Sequence, residues 1–555
     1  MTKSALQIER TKYVPKMPDV LKENVEMVEG EKTQSVDDQK EIQELFPNTY
    51  GMPVINFEQK SGQPGMDNPI NVGVILSGGQ APGGHNVIAG IFDGVKRLHR
   101  DSKLYGFLLG PAGLINHNYK ELTAEIIGEY RNTGGFDIIG SGRTKLETKE
   151  QFDKGLEILK KLNIKALVII GGDDSNTNAC VLAEYYKSID AKVQVIGVPK
   201  TIDGDLKNSQ IETSFGFDTA CKVYSELIGN IQRDCDSARK YWHFIKVMGR
   251  SASHIALECA LQTHPNICII SEEVEKKQQS LDDIITDIAT IVAKRAEKGM
   301  NFGTVLIPEG LIEFIPVMKR LIAELNEFLA HNQDEFDLVR RSAKREYIIN
   351  KLSPQNSEIY ASLPHSVARQ LTLDRDPHGN VQVSHIETEK LLSEMVKYKL
   401  KEWAKAGKYK GKFATISHFF GYEGRCASPS NYDADYCYSL GYTASMLIAG
   451  GKTGYMASVR NTTAVTDKWV AGGVPITMMM NMERRHGAMK PVIQKALVKL
   501  DDAPFKYFER MREKWALETD YVYPGPIQFF GPSEVCDEPS KTLQLEQNHT
   551  MIGIE

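Results

Sequence analysis

Six short segments of the sequence either are rich in glycine or combine glycine with charged side chains, and each comes after a run of apolar residues. They are 78–84 (GGQAPGG), 171–176 (GGDDSN), 199–205 (PKTIDGD), 247–250 (VMGR), 307–310 (IPEG) and 422–425 (YEGR). Glycine lets backbone amides approach phosphate oxygens, lysine and arginine neutralise phosphate, and carboxylates bind cations, sugar hydroxyls or protons. Together, the six segments indicate a site for phosphorylated ligands.

Two of these segments suggest specific chemistry. Asp173 and Asp174 are adjacent carboxylates, which are costly to keep together unless a cation such as phosphate-bound magnesium shares them. Lys200 and Asp203 lie three residues apart, so one could neutralise a phosphate while the other accepts a proton. Each segment alone also has a structural explanation, as a tight strand-to-helix turn, a helix N-cap or a solvated turn.

Short apolar runs separated by helical segments position these loops. Strands are predicted at 72–76, 136–140, 166–170 and 193–197, and a helix is predicted at 86–98. This alternation is typical of right-handed crossovers in a parallel, doubly wound sheet. Ligands of such sheets bind beyond the carboxyl ends of the strands, which is where the charged segments lie.

A second α/β lobe is predicted from strands at 244–248, 267–270, 304–307 and 413–416. Before the last of them, amphipathic helices that begin at Pro316 and near Ile386 indicate a helical insertion. The first 69 residues are polar and punctuated by proline, which predicts a partly helical arm without strands. We therefore expect an N-terminal arm at 1–69, a first lobe at 70–218 plus about 426–515, a second lobe at 219–425 with its insertion at about 312–405, and a loose C-terminal tail at 516–555.

Composition excludes several classes of protein. The chain has 555 residues, 41% of them hydrophobic, which is enough for large packed cores, and its eight cysteines form no C-x-x-C pair. The 67 Lys and Arg against 72 Asp and Glu give a net charge of -5, which argues against a nucleic-acid partner. Without a leader-like segment or an apolar stretch of about 18 residues, we expect a cytoplasmic protein that has no membrane partner.

In their order and combination, the charged segments resemble those of the phosphofructokinase family, over about residues 70–515. The pattern is similar to the pyrophosphate-dependent branch of that family, in its long subclass. The resemblance implies two Rossmann-like three-layer α/β/α lobes. It also implies a homodimer with a shared sugar-phosphate site that uses magnesium to transfer a phosphoryl group reversibly from inorganic pyrophosphate to O1 of D-fructose 6-phosphate, a step of glycolysis and gluconeogenesis.

The resemblance also implies roles for individual residues. Asp203 matches the proton acceptor of the family, and Asp173 matches its magnesium ligand. Asp174 and Lys200 match the catalytic pair of pyrophosphate users, because ATP-dependent relatives have glycine at the first of these positions. The pyrophosphate contacts implied are Gly79, Arg143 and Lys200. The sugar-phosphate contacts implied are Thr201, Ile202, Asp203, Lys240, Tyr241, Met248, Gly249, Arg250, Glu309, Tyr422, Glu423, Gly424 and Arg425, with Lys240 and Tyr241 expected to reach a neighbouring subunit.

Three other functions are weighed against this one. An ATP-dependent 6-phosphofructokinase is opposed by Asp174 and Lys200. A non-catalytic, phosphosugar-sensing regulatory subunit is opposed by the joint presence of the acidic and basic residues named above. A plain dinucleotide-binding module is opposed because the glycine segment at 78–84 does not match G-x-G-x-x-G.

Overall fold

The computed structural model describes residues 3–62, 65–363, 365–372, 385–485, 488–527, 529, 532, 533 and 537–548. In this part of the chain, none of the helices has the length and apolar character needed to span a bilayer.

The strands are β1 (Asn24–Lys32), β2 (Pro53–Lys60), β3 (Asn71–Leu76), β4 (Leu104–Phe107), β5 (Tyr119–Glu121), β6 (Ile164–Gly171), β7 (Gln194–Pro199), β8 (Trp242–Val247), β9 (Ile267–Cys268), β10 (Gly303–Pro308), β11 (Thr415–Phe420), β12 (Tyr455–Arg460), β13 (Val470–Pro475), β14 (Met480–Arg485) and β15 (Ala488–Ile493). The helices are α1 (Ala5–Thr11), α2 (Asp19–Lys22), α3 (Gln39–Leu45), α4 (Gly84–Leu98), α5 (Pro111–Ile115), α6 (Ala124–Tyr130), α7 (Lys149–Lys161), α8 (Asp173–Ser188), α9 (Phe217–Ala238), α10 (His254–Thr263), α11 (Ser271–Lys276), α12 (Leu281–Glu297), α13 (Leu311–Phe314), α14 (Pro316–Leu338), α15 (Lys344–Ile349), α16 (Pro354–Ser362), α17 (His365–Gln370), α18 (Thr388–Lys405), α19 (Tyr422–Cys426), α20 (Asn431–Ala449), α21 (Ala503–Leu517) and α22 (Lys541–Asn548).

The larger sheet has the strand order β1-β2-β13-β12-β7-β6-β3-β4-β5. Its five central strands, from β12 to β4, run parallel, which confirms the predicted α/β arrangement. Side chains of β3 are buried on both faces, with Val72 and Val74 on one side and Ile75 on the other. Because neither face is polar, helices must cover both: α4 and α20 pack on the first side, and α7 and α8 on the second.

The second sheet has the order β11-β8-β10-β9 and is parallel throughout. Ile245 and Leu306 on one face join the same hydrophobic core as Val72 of the first sheet. Phe244 and Val305 on the other face join a separate core, which includes helices α14 and α18. A single core therefore connects the two sheets and sets their relative position.

One predicted strand, at 136–140, is wrong. The backbone N–H groups of Ile139 and Gly140 both donate to the carbonyl of Phe136, at 3.4 and 2.7 Å. These amides are used in a local turn, so the segment cannot join a ladder, although its apolar side chains are buried. The strand beside β3 is instead β4, which the sequence analysis did not identify.

The ends of the chain also differ from expectation. The arm contains two strands, because β1 and β2 pair with each other and β2 pairs with β13 at the edge of the larger sheet. The residues after 516 include α22, whose Leu543 and Leu545 are buried in the core that connects the sheets. Neither segment has a strong local sequence pattern, because each is stabilised by contacts with residues that are distant in the chain.

Helices α4 and α20 pack closely because glycine stands at their contact. A Cβ atom at Gly90 would lie 2.2 Å from the carbonyl oxygen of Tyr438, and one at Gly441 would lie 2.1 Å from that of Val87. Both separations are far below van der Waals contact, so no side chain fits without moving a helix.

We predict that Gly90→Ala destabilises the protein by about 1–3 kcal/mol, because the new methyl group overpacks this contact. Gly128→Ala is the matched control, since nothing lies within 4 Å of its Cβ position on α6; alanine there is expected to stabilise the helix by about 0.5–1 kcal/mol. Thermal unfolding midpoints measure both effects. Equal midpoints for the two variants would contradict the close approach of α4 and α20.

Candidate active site

A cleft of about 340 Å³ lies where strands of both sheets end. Strands β3, β6 and β7 lead into it from the first sheet, and β8 and β10 lead into it from the second. Parallel strands present their carboxyl ends at one edge, so residues that are distant in sequence meet there. Of the residues singled out above, those lining the cleft are Gly79, Arg143, Asp173, Asp174, Lys200, Thr201, Asp203, Met248, Arg250, Glu309, Tyr422 and Arg425.

The other candidate residues lie outside the cleft lining. Ile202 is fully buried in the core. Gly424 packs on Tyr224, since a Cβ atom there would lie 2.5 Å from the ring, and the neighbouring Glu423 is exposed. Gly249 donates its backbone N–H to Glu309 Oε2 at 3.2 Å, and so it contributes to the cleft by orienting Glu309.

Lys240 and Tyr241 are also absent from the cleft lining. They precede β8, whereas the cleft lies at its opposite, carboxyl end. Six residues of strand separate the two ends, which corresponds to about 20 Å. These two residues therefore face a different part of the surface from the other candidates.

The glycine loop after β3 accommodates arginine side chains against the backbone. A Cβ atom at Gly79 would lie 2.8 Å from Arg425 Nη1 and 3.7 Å from Arg143 Nη2. Any larger residue would displace the nearer guanidinium group. The loop therefore brings two cations from distant segments to one point, which suits it to bind an anion.

Lys200 is a buried cation at the centre of this arrangement. Its Nζ donates a hydrogen bond to the carbonyl of Gly79 at 2.7 Å, and only 5% of the residue is exposed. Burial, followed by the nearby charge of Arg425, lowers the pKa of Lys200 to about 7. An anion bound here would raise that pKa and complete the protonation of the lysine.

Three aspartates provide the acidic side of the cleft. Asp173 and Asp174 are the first residues of α8, where the helix dipole favours negative charge. Asp203 donates its backbone N–H to Thr201 Oγ1 at 3.1 Å, which orients the loop. Within the described residues, the buried oxygens Asp173 Oδ2 and Asp203 Oδ1 accept no hydrogen bond. Such acceptors are costly without a partner, so they are suited to bind a cation and a proton donor.

Two further carboxyl groups are strongly affected by burial. Burial, and then the charge of Asp203, raise the pKa of Asp205 to about 7. The same causes, in the same order, raise the pKa of Glu309 above its usual range. Burial therefore favours the protonated form of these two carboxyl groups, although cationic side chains line the same cleft.

Two lysines of the cleft were not identified from the sequence. Lys145 Nζ lies 3.9 Å from Asp174 Oδ1, and Lys495 Nζ lies 3.6 Å from Asp173 Oδ2. Burial lowers the pKa of Lys495, but the negative charges led by Asp173 outweigh that effect and raise it above its usual value. The sequence pointed only to Lys145, which follows Arg143 by two residues. Lys495 follows β15 and lies in none of the glycine segments.

Comparison with known proteins gives consistent matches. The phosphofructokinase family matches residues 71–448. A pyrophosphate--fructose 6-phosphate 1-phosphotransferase of Porphyromonas gingivalis is 69% identical over 548 residues, covering 99% of this chain and 100% of the relative. A protein of the same name from Entamoeba histolytica is 54% identical over 551 residues, with 99% and 100% coverage. The solved pyrophosphate-dependent phosphofructokinase from Nitrosospira multiformis has the same fold, with a TM-score of 0.53 and 16% identity over 82% of this chain and 93% of that chain.

We predict that the stability difference between the unaltered protein and Lys200→Met depends on pH. The folded-state pKa of Lys200 is lowered from 10.5 to about 7, so the unfolded chain binds more protons between these values and the unaltered protein gains stability as pH rises. Relative to Lys200→Met, this gain is about 2 kcal/mol between pH 7 and pH 9. Thermal unfolding midpoints measured across this range test it, with exposed Lys165→Met as the control. A constant difference would contradict the lowered pKa.

Proposed function

Because the chain belongs to the phosphofructokinase family, we propose that it transfers a phosphoryl group reversibly from inorganic pyrophosphate to O1 of D-fructose 6-phosphate. The proposal rests on one observation. Residues that match the pyrophosphate contacts of the family and residues that match its sugar-phosphate contacts line the same cleft. The products are fructose 1,6-bisphosphate and phosphate, as in glycolysis. The names of relatives that are 54% and 69% identical over the whole chain support the choice of both substrates.

On the donor side, Lys200, Gly79 and Arg143 hold the pyrophosphate. The transferred phosphoryl group gains negative charge on its outer oxygens, so positioned cations and backbone groups contribute most of the catalysis. Lys200 is already fixed by its bond to the Gly79 carbonyl. Binding of pyrophosphate therefore costs little further side-chain entropy at Lys200, because this side chain is already ordered.

On the acceptor side, Asp203 accepts the proton of the sugar O1 hydroxyl. As O1 attacks the phosphorus, its O–H bond breaks, the proton passes to Asp203, and the bridging bond of pyrophosphate breaks to release phosphate. Asp203 Oδ1 is suited to this role because it is buried and has no hydrogen-bond partner among the described residues. Arg250 and Arg425 bind the 6-phosphate, and the buried Glu309 binds a sugar hydroxyl.

We propose that Asp173 holds a magnesium ion together with oxygens of the pyrophosphate. In the described part of the chain, no three His, Cys, Asp or Glu residues form a complete metal site. Magnesium commonly takes one or two carboxylates and completes its coordination with water and substrate phosphates. The buried Asp173 Oδ2, which accepts no hydrogen bond from the described residues, fits this mode. The bound ion would neutralise phosphate charge.

The oligomer we propose is a homodimer. Lys240 is exposed, and its Nζ lies 5.2 Å from the centre of the Tyr241 ring. Both lie at the end of β8 remote from the cleft, so contact with a sugar phosphate bound by this subunit is out of reach. They instead contribute to the site of a neighbouring subunit. A cytoplasmic location stays a prediction from the sequence.

For the proton acceptor, we predict that Asp203→Asn lowers kcat by about 10²–10⁴-fold, because the amide cannot accept the O1 proton. Steady-state kinetics in both directions measure this loss. Pyrophosphate binding by calorimetry is the internal control and should be nearly unchanged. Near-normal kcat in Asp203→Asn would contradict the assigned role.

For donor selectivity, we predict that Asp174→Gly lowers kcat/KM for pyrophosphate and allows ATP to act as a donor, because the carboxylate occupies the space and charge of an additional phosphate. Asp174→Asn is the control that removes charge while it keeps size, and it should exclude ATP better than the glycine variant. Coupled assays with each donor measure the ratio. The same donor preference in all three proteins would contradict this role.

A further inference from the structure

The two adjacent carboxylates at the start of α8 create an electrostatic problem for the proposed donor. Pyrophosphate carries several negative charges, and it must bind beside Asp173 and Asp174. Each of these carboxylates faces a lysine from a different segment of the chain, at 3.6 Å for Lys495 and 3.9 Å for Lys145. Both distances permit strong charge attraction but are too long for a hydrogen bond. The lysines thus neutralise the carboxylates without binding their oxygens directly.

The segment that carries Lys145 is fixed to α8 itself. The side-chain amide of Asn178 donates to the carbonyl of Leu146 at 2.6 Å, and its oxygen accepts the backbone N–H of Leu146 at 3.1 Å. Because Asn178 and Asp174 belong to the same helix, this pair of bonds fixes the neighbouring Lys145 relative to Asp174.

Lys495 is held near the same helix by bonds on both sides of it in the chain. Thr177 Oγ1, on α8, accepts the backbone N–H of Ile493 at 3.2 Å. On the other side of the lysine, the backbone N–H of Ala496 donates to the carbonyl of Asp205 at 2.7 Å. The ammonium group itself donates to Ser251 Oγ at 2.7 Å, in the second lobe.

We propose that Lys145 and Lys495 are positioning residues of the donor site, which act as counter-ions of Asp174 and Asp173 and thereby allow pyrophosphate to bind beside two adjacent carboxylates. This inference rests on the proposed function. The side chains involved are between 22% and 29% exposed, so solvent screens them only in part. Loss of either lysine would make the acidic side of the donor site more negative, even with a magnesium ion at Asp173, and would weaken binding of pyrophosphate more than binding of the sugar phosphate.

The test measures the Kd of inorganic pyrophosphate by calorimetry at fixed ionic strength, in the full chain with magnesium and without sugar. Lys145→Met and Lys495→Met should each raise this Kd by about tenfold or more, with a much smaller change in the Kd of fructose 6-phosphate. The unfolding midpoint should stay unchanged in Lys145→Met, whereas Lys495→Met also loses the bond to Ser251. Lys145→Arg and Lys495→Arg should restore most of the affinity. Lys192→Met is the matched control, because it breaks an ion pair with Asp190 on the surface, where both side chains are more than 70% exposed.

A double variant separates a counter-ion from a direct ligand. In an Asp174→Asn background, the further change Lys145→Met should weaken pyrophosphate binding much less than it does alone, because the charge to be neutralised is gone. An equal loss in both backgrounds would overturn the proposal, as would an unchanged Kd in the single variants. A comparable loss of affinity for both substrates in Lys145→Met, with a lower unfolding midpoint, would also overturn it. Absence of pyrophosphate binding by the unaltered chain would overturn the proposed function first, and this inference with it.

Discussion

Six cationic and five acidic side chains line a cleft of about 340 Å³, and their mutual neutralisation is the constraint on which the site depends. Like charges this close cannot all remain ionised in partly buried surroundings. Burial, and then the charge of Arg425, lowers the pKa of Lys200 to about 7; burial, and then the charge of Asp203, raises the pKa of Asp205 to about 7. The site is therefore held in a balance of charge that a phosphorylated ligand and a cation would shift.

Such a balance requires rigid support, and the fold provides it through one shared core. Apolar residues of both sheets, among them Val74 and Leu306, belong to the same hydrophobic cluster. Helices α4 and α20 tighten that cluster where glycine allows their backbones to approach. Because the strand ends of the two sheets are positioned by this core, the charged loops attached to them are positioned as well.

The sequence predicted the parts of the site that follow directly from local patterns. The central parallel strands, and the placement of Lys200 and Asp203 after β7, could be predicted because an apolar run and a glycine-containing loop are adjacent in the chain. Lys495 could not be predicted in this way, because its position depends on bonds to α8 and to Asp205, which are remote in sequence. The strands of the N-terminal arm escaped prediction for the same reason, since β2 is stabilised by its pairing with β13, about 400 residues later in the chain.

The pairing of β2 with β13 has a consequence for how the chain is made. The second sheet is built from residues 242–420, whereas the first needs strands from both ends of the chain, at 24–199 and 455–475. During synthesis on the ribosome, the second sheet can therefore close while the first still lacks β12 and β13. Until those strands emerge, β7 presents an open edge that invites pairing with other chains. A growing chain that has reached β11 therefore has an unpaired edge at β7, which β12 covers in the complete protein.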